Sequence, residues 1–124
     1  MNKKIHFIGI GGIGVSALAK YYLKNGFSVS GSDLVKSEIT KKMEEMGAKI
    51  FIGKHNLQNL PEGTDLVICS PAIKKENPEL REARKRKIKT QTYPEALGDL
   101  TKKYFTIAIA GAHGKSTTTT MIGL

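Results

Sequence analysis

The sequence predicts an α/β fold with a mostly parallel sheet, and three observations lead there. Short apolar runs alternate with segments of helical period along the chain. A glycine turn, Gly9-Ile10-Gly11-Gly12-Ile13-Gly14, stands between the first such run and the first helical segment. A second glycine turn of a different kind, Gly111-Ala112-His113-Gly114-Lys115-Ser116, follows the last apolar run. The sequence continues for only eight residues past Ser116, so we expect the front end of a longer enzyme.

The elements follow in order. Ile5 to Ile8 is a compact apolar run ending in glycines, the mark of a buried parallel strand. From Gly12 to Asn25, Ile13, Ala17, Leu18, Tyr21 and Tyr22 recur at helical spacing, and Gly26 stands at the stop. Phe27 to Gly31 is a second strand, ending at Ser32-Asp33. Ser37 to Met46 reads as a helix stopped by Gly47, and Lys49 to Ile52 as a third strand. A loop through His55 and Pro61 leads to the strand Asp65–Cys69. Asn77 to Lys87 is a helix with Asn77 as N-cap, Pro78 at the first position and Glu79 at the second. Lys89 to Thr92 is a short strand and Pro94 to Leu100 a short helix. A polar basic stretch, Thr101-Lys102-Lys103, precedes a last strand, Phe105–Ala110.

Composition narrows the class. With 40% hydrophobic and 25% charged residues, the chain is that of a globular protein. The longest weakly apolar stretch, Phe7 to Ala19, is too short and too rich in glycine to cross a bilayer. The single cysteine, Cys69, excludes an internal disulfide and fits a reducing cytoplasm. The formal charge of +9 invites a nucleic-acid reading, but the lysines are scattered and no aromatic residues interleave with the densest run, Arg81 to Lys89. Anionic small ligands explain the charge equally well, and no Cys/His spacing suggests a metal cage.

The first glycine motif has the context that gives it meaning: a strand before it, a helix after it and an acid further on. Gly9 allows the tight turn, Gly11 lets a phosphate approach the backbone, and Gly14 lets the helix pack closely. Amides of Gly12, Ile13 and the rest of the first helical turn would then face a diphosphate. Asp33 lies 24 residues after Gly9, where it can accept from a ribose hydroxyl or a base. The bland alternative is that these glycines only permit packing and that Asp33 caps a turn. NAD or NADP binding is equally compatible with this motif alone.

In the second motif, the amides of Gly111 to Gly114 would wrap phosphate oxygens, with Ala112 and His113 inside the loop. Lys115 would stand between β- and γ-phosphates, and Ser116 would offer a hydroxyl to Mg²⁺, with Thr117 adjacent. The loop is two residues shorter than G-x-x-x-x-G-K-[ST], because Ile109 occupies the place of the first glycine. The alternative is a glycine turn with a surface lysine. Of the histidines, His113 is not assigned proton transfer, His6 is expected to be packed in its strand, and His55 has no evident partner.

Taken together, Ile5 to Leu18 (IHFIGIGGIGVSAL), Gly31-Ser32-Asp33, Ser70-Pro71-Ala72-Ile73 with Asn77-Pro78-Glu79, and Gly111 to Thr120 (GAHGKSTTTT) resemble the Mur ligases in content and order. The resemblance covers essentially the whole chain. It implies a Rossmann-like three-layer domain over residues 1–103 for a UDP-sugar, then the first strand and phosphate loop of a truncated ATPase domain over 104–124. It moves the ligand of the first motif from a dinucleotide to UDP-N-acetylmuramate, held by Gly9, Gly11, Gly12, Ile13 and Gly14, with Ser32, Asp33, Ser70, Ala72 and Ile73 near the uridine. It implies ATP and Mg²⁺ as cofactors, Lys115 as the catalytic cation, and L-alanine as the amino acid joined. Two departures stand out: Ala112 and Ser116 where relatives often carry threonine, and Val15 where methionine is common. Serine keeps the hydroxyl that metal binding needs.

The reaction so implied is attack of a lactyl carboxylate on ATP, giving an acyl phosphate that the amine of alanine displaces. The piece in hand is expected to be inactive alone. The rival from another class is a non-catalytic NAD(H)-binding regulatory module, which would leave Gly111–Ser116 and Ser70–Ile73 without a role.

Overall fold

Four of the five residues of β1 (Lys4–Ile8) are buried, as expected of a strand covered on both faces. The computed structural model describes residues 3–112, with side chains through residue 102. β1 pairs in parallel with β2 (Ser28–Asp33) and with β4 (Leu66–Cys69). β3 (Lys49–Ile52) and β5 (Lys89–Thr92) pair in parallel with β2 and β4 respectively, so the sheet order is β3-β2-β1-β4-β5. Among the described residues every strand pair is parallel, which requires a crossover at each connection.

The connection from β3 to β4 runs through a 3-10 turn at Leu57–Asn59, and the other three are the helices α1 (Ile13–Lys24), α2 (Glu38–Glu45) and α3 (Pro78–Lys85). Their ends carry the expected chemistry. Ser37 and Thr40 form a reciprocal cap at α2, and the Asn77 side chain accepts from the amides of Glu79 and Leu80 at α3. Gly26 and Gly47 end α1 and α2 at φ +84° and +108°, and Lys87 takes the same left-handed place after α3 at φ 60°.

Alternate residues of β1 divide the core. Phe7 packs toward α1, with its ring 6.3 Å from that of Tyr22, which in turn meets Phe27 edge-on at 4.9 Å. Ile8 faces the other way, into a cluster with Leu60, Val67, Cys69, Leu80 and Ala83 beneath α3. Helices therefore cover both faces, and the chain reverses direction across the sheet between β1 and β4. In such sheets ligands bind outside the carboxyl ends of the strands at that reversal.

The last element differs from expectation. α4 runs from Tyr93 to Ala112, through Thr101–Lys103 and through Phe105–Ala110, which the sequence pattern assigns to a strand. A strand needs a neighbour to satisfy its N–H and C=O groups, whereas a helix satisfies them within the segment. The described residues offer 105–110 no strand partner, and the helix wins. Gly111 and Ala112 close α4, while His113, Gly114, Lys115, Ser116 and Thr117 lie outside the described residues. The chain divides after Tyr93 into two compact units.

Gly31 tests this packing. A Cβ there would lie 2.5 Å from Ile10 Cδ1 and 2.8 Å from Ile10 Cβ, so β2 needs glycine for the turn to fold over it. Gly31→Ala should lower unfolding stability by about 1–3 kcal/mol. Gly98→Ala, within α4 and with open space at its Cβ, should leave stability unchanged or raise it. Urea unfolding of both variants checks this, and equal stability for Gly31→Ala would contradict the close approach.

Candidate functional site

The glycine turn is built by the end of β2. The carbonyl of Ser32 accepts from the amides of Gly9 and Ile10 at 2.8 and 3.0 Å, and Gly12 closes the turn on the carbonyl of Gly9 at 3.1 Å. Gly9 adopts φ +82°, and a Cβ on it would stand 3.2 Å from Ser70 Cβ and 3.6 Å from Ile73 Cδ1. The fold thus brings Gly9 beside Ser70 and Ile73 at the reversal between β1 and β4. The second loop is itself tied by the amide of Ala72 donating to Ser70 Oγ at 3.3 Å.

Two glycines have duties other than those expected. The oxygen that comes close to Gly11 belongs to Asp33, whose Oδ2 accepts from the Gly11 amide at 2.8 Å. A Cβ on Gly11 would meet that oxygen at 2.6 Å. At Gly14 the close neighbour is the ring of Tyr93, 2.7 Å from an added Cβ. The amides of Gly9 to Gly12 are therefore all engaged within the protein. Among the described residues, those of Ile13, Gly14 and Val15 are left unbonded at the positive end of α1. An anion at the turn would meet these three. The side chain of Ile13 is 83% exposed beside them, and Leu34 and Val35 are also exposed just past Asp33.

Among the described residues Asp33 Oδ1 makes only a long contact, 3.4 Å to the amide of Val35, which leaves that oxygen able to accept a further hydrogen bond. Ser32 differs. Its side chain is fully buried and points to the α3 face, because β2 alternates and Gly31 takes the opposite face. The hydroxyl donates to Glu79 Oε1 at 2.6 Å.

Glu79 holds a buried network that sequence reasoning misses, for it assigns the residue only the second position of α3 and a place in the Asn77-Pro78-Glu79 motif. It is 0% exposed. Oε1 also accepts from His6 Nε2 at 2.7 Å. Oε2 accepts from His55 Nδ1 at 2.8 Å, from Asn59 Nδ2 at 3.1 Å and from the amide of Asn56 at 3.4 Å. His6 is fully buried as expected, with Nδ1 2.8 Å from Ser30 Oγ. His55 has partners after all: Glu79, and Ser32 Oγ at 3.2 Å. The cue in sequence was weak: a histidine in a buried strand needs polar company, but nothing said that it lay 73 residues away.

Burial alone would push the Glu79 carboxyl up. The hydrogen bonds from His6, Ser32, Asn59 and His55 outweigh it and bring the carboxyl down from 4.5 to about 2. A pKa lowered by folding gives stability that is full above the unfolded value and is lost as pH falls toward the folded one. The loss should run from about pH 4.5 down to about pH 2, on the order of 2 kcal/mol after solvent screening. Urea unfolding of the protein and of Glu79→Gln should show the gap between them narrowing by that amount over this range; parallel pH profiles would contradict it.

A groove of about 1000 Å³ between α1 and α2 is lined by Lys20, Lys24, Lys41 and Lys42, but it is open and touches the turn only at Ile13. The chemistry converges at the turn, not there. Among the described residues no group of His, Cys, Asp and Glu is arranged for a metal, and no helix is long and apolar enough to cross a membrane.

Residues 4–105 match the sequence model of the Mur ligase family, catalytic domain. The chain is 50% identical over 122 residues to UDP-N-acetylmuramate–L-alanine ligase of Clostridium botulinum strain Langeland, covering 98% of this chain and 26% of that protein. It is 49% identical over 123 residues to the ligase of the same name from Acetivibrio thermocellus, with the same coverage. The crystal structure of UDP-N-acetylmuramate-alanine ligase from Thermotoga maritima superposes with a TM-score of 0.76 at 37% identity, over 82% of this chain and 23% of that one. The chain therefore spans about a quarter of the length of the relatives it matches. On these grounds, the chain belongs to the Mur ligase family.

Proposed function

We propose that this chain is the N-terminal part of an ATP-dependent ligase that joins L-alanine to UDP-N-acetylmuramate in peptidoglycan synthesis. The observation that carries this reading is the apposition of Gly9 to Ser70 and Ile73, two motifs 61 residues apart in sequence, in a chain half identical to ligases of that name. Residues 1–103 are the UDP-sugar-binding part, and 104–124 begin the ATP-binding part. The Ile13, Gly14 and Val15 amides at the end of α1 receive the diphosphate. Asp33, steered by the Gly11 amide, offers Oδ1 to the ribose or base, with Ala72 and Ile73 alongside.

Of the second glycine motif, whose first residues Gly111 and Ala112 end α4, the amides around Gly114 cradle the triphosphate, and the Lys115 ammonium draws charge from the β- and γ-phosphates as the sugar carboxylate approaches. The donor set suits Mg²⁺: the Ser116 hydroxyl is a hard oxygen ligand, and the ion when bound through ATP would neutralise the phosphates. The carboxylate displaces ADP to give an acyl phosphate, and the alanine amine then displaces phosphate to leave an amide. Most of this apparatus belongs to the remaining length of the relatives, so the piece itself is inactive. Nucleotide substrates and a buried Cys69 in no disulfide fit a cytoplasmic setting.

Calorimetric titration with UDP-N-acetylmuramate, UDP and NADH tests the reading. Both uridine ligands should bind, NADH should not, and Asp33→Ala should weaken the uridine ligands about tenfold. Binding of NADH alone would overturn the reading in favour of a regulatory module, and unchanged uridine affinity in Asp33→Ala would remove Asp33 from the site.

A further inference from the structure

We propose that Glu79 is a positioning residue for the ligand site: it sets the tautomer of His55 and, through Ser32, the seating of the glycine turn. The link to ligand binding rests on the UDP-sugar reading above; the positioning itself does not.

The argument is one of donors and acceptors. An ionised carboxylate can only accept, so each of its neighbours must donate. His6 must then carry its proton on Nε2, 2.7 Å from Glu79, which leaves Nδ1 to accept from the Ser30 hydroxyl at 2.8 Å. His55 must carry its proton on Nδ1, shared between Glu79 Oε2 at 2.8 Å and Ser32 Oγ at 3.2 Å. In their neutral forms the two histidines are held in opposite tautomers by one carboxylate. His55 is left with the Nε2 lone pair as an acceptor, its side chain being 11% exposed.

The second link runs through Ser32. Its hydroxyl is committed to Glu79 at 2.6 Å, and its carbonyl receives the amides of Gly9 and Ile10. One residue thus joins the buried anion to the turn whose remaining amides face the ligand. The loop carrying His55, Asn56 and Asn59 is fastened to the same carboxylate, which fixes the wall next to the end of β2. A glutamine at 79 fills the same space but cannot accept on both edges. Turned to the Oε2 side, its NH₂ edge would oppose Asn59 Nδ2 and the proton on His55 Nδ1; turned to the Oε1 side, it would oppose the proton on His6 Nε2 and the Ser32 hydroxyl, so either His55 or the pair His6 and Ser32 must rearrange.

The experiment uses the 124-residue chain labelled with ¹⁵N at about pH 8, where a free imidazole is neutral. Long-range proton–nitrogen correlation of the imidazoles should give His6 as Nε2–H and His55 as Nδ1–H. In Glu79→Gln, His55 or His6 should change its tautomer, the Gly9 and Ile10 amide resonances should move, and UDP affinity should fall about tenfold. Glu82→Gln, on the same helix but paired with Arg86, should match the wild type in all three.

His55 found as Nε2–H in the wild type would overturn the proposal. So would unchanged His55 and His6 tautomers together with unmoved turn amides in Glu79→Gln. If that variant does not fold, the wild-type tautomers and Ser32→Ala decide: the serine variant should shift the Gly9 and Ile10 amides, and unmoved amides would overturn the link. Absence of UDP binding by the wild type would defeat the UDP-sugar reading instead, because the tautomers and amide shifts are read without ligand.

Discussion

A carboxylate cut off from water persists in a fold only when its neighbours replace the hydration it has lost. Glu79 has five such neighbours, drawn from β1, from the end of β2 and from the loop between β3 and β4. It sits at the start of α3, above an otherwise apolar cluster of Ile8, Val67, Leu80 and Ala83. Hydrophobic packing would hold α3 to the sheet in any of several small displacements. The hydrogen bonds demand one of them, since each donor must reach its lone pair within a few tenths of an ångström.

The order so imposed passes to the glycine turn. Ser32 links the two with its hydroxyl on one side and its carbonyl on the other. Gly31, immediately before it, admits Ile10 against β2, and Gly11 admits the carboxylate of Asp33. The glycines of this motif thus make room chiefly for the protein's own atoms. Bonds within the turn use the amides of Gly9 to Gly12, while among the described residues the amides of Ile13, Gly14 and Val15 remain unbonded at the positive end of the α1 dipole. A turn whose bonds are already made pays little ordering entropy when its ligand arrives.

Much of the fold was legible because its signals are local. The buried runs of β1 and β4, the Asn77-Pro78 start of α3 and the stop at Gly26 each reside within a few residues. The apposition of Gly9 with Ser70 and Ile73 was legible only through resemblance, as it depends on strand order. The Glu79 network was not legible, for its members are scattered from His6 to Glu79 and each looks ordinary in its own segment. Phe105–Ala110 shows the opposite failure: an apolar β-branched run promises a strand, but without a partner its backbone bonds close within α4.

The central claim is that the carboxyl end of the sheet at the β1–β4 reversal is the ligand site, and that its free amides belong to the first turn of α1. Amide chemical-shift mapping with UDP-N-acetylmuramate tests it most directly. The account predicts that the largest shifts fall on Ile13, Gly14 and Val15 and on Ser70 to Ile73, with Lys41 and Lys42 of the α1–α2 groove unmoved. Shifts concentrated in that groove, with the turn silent, would contradict it.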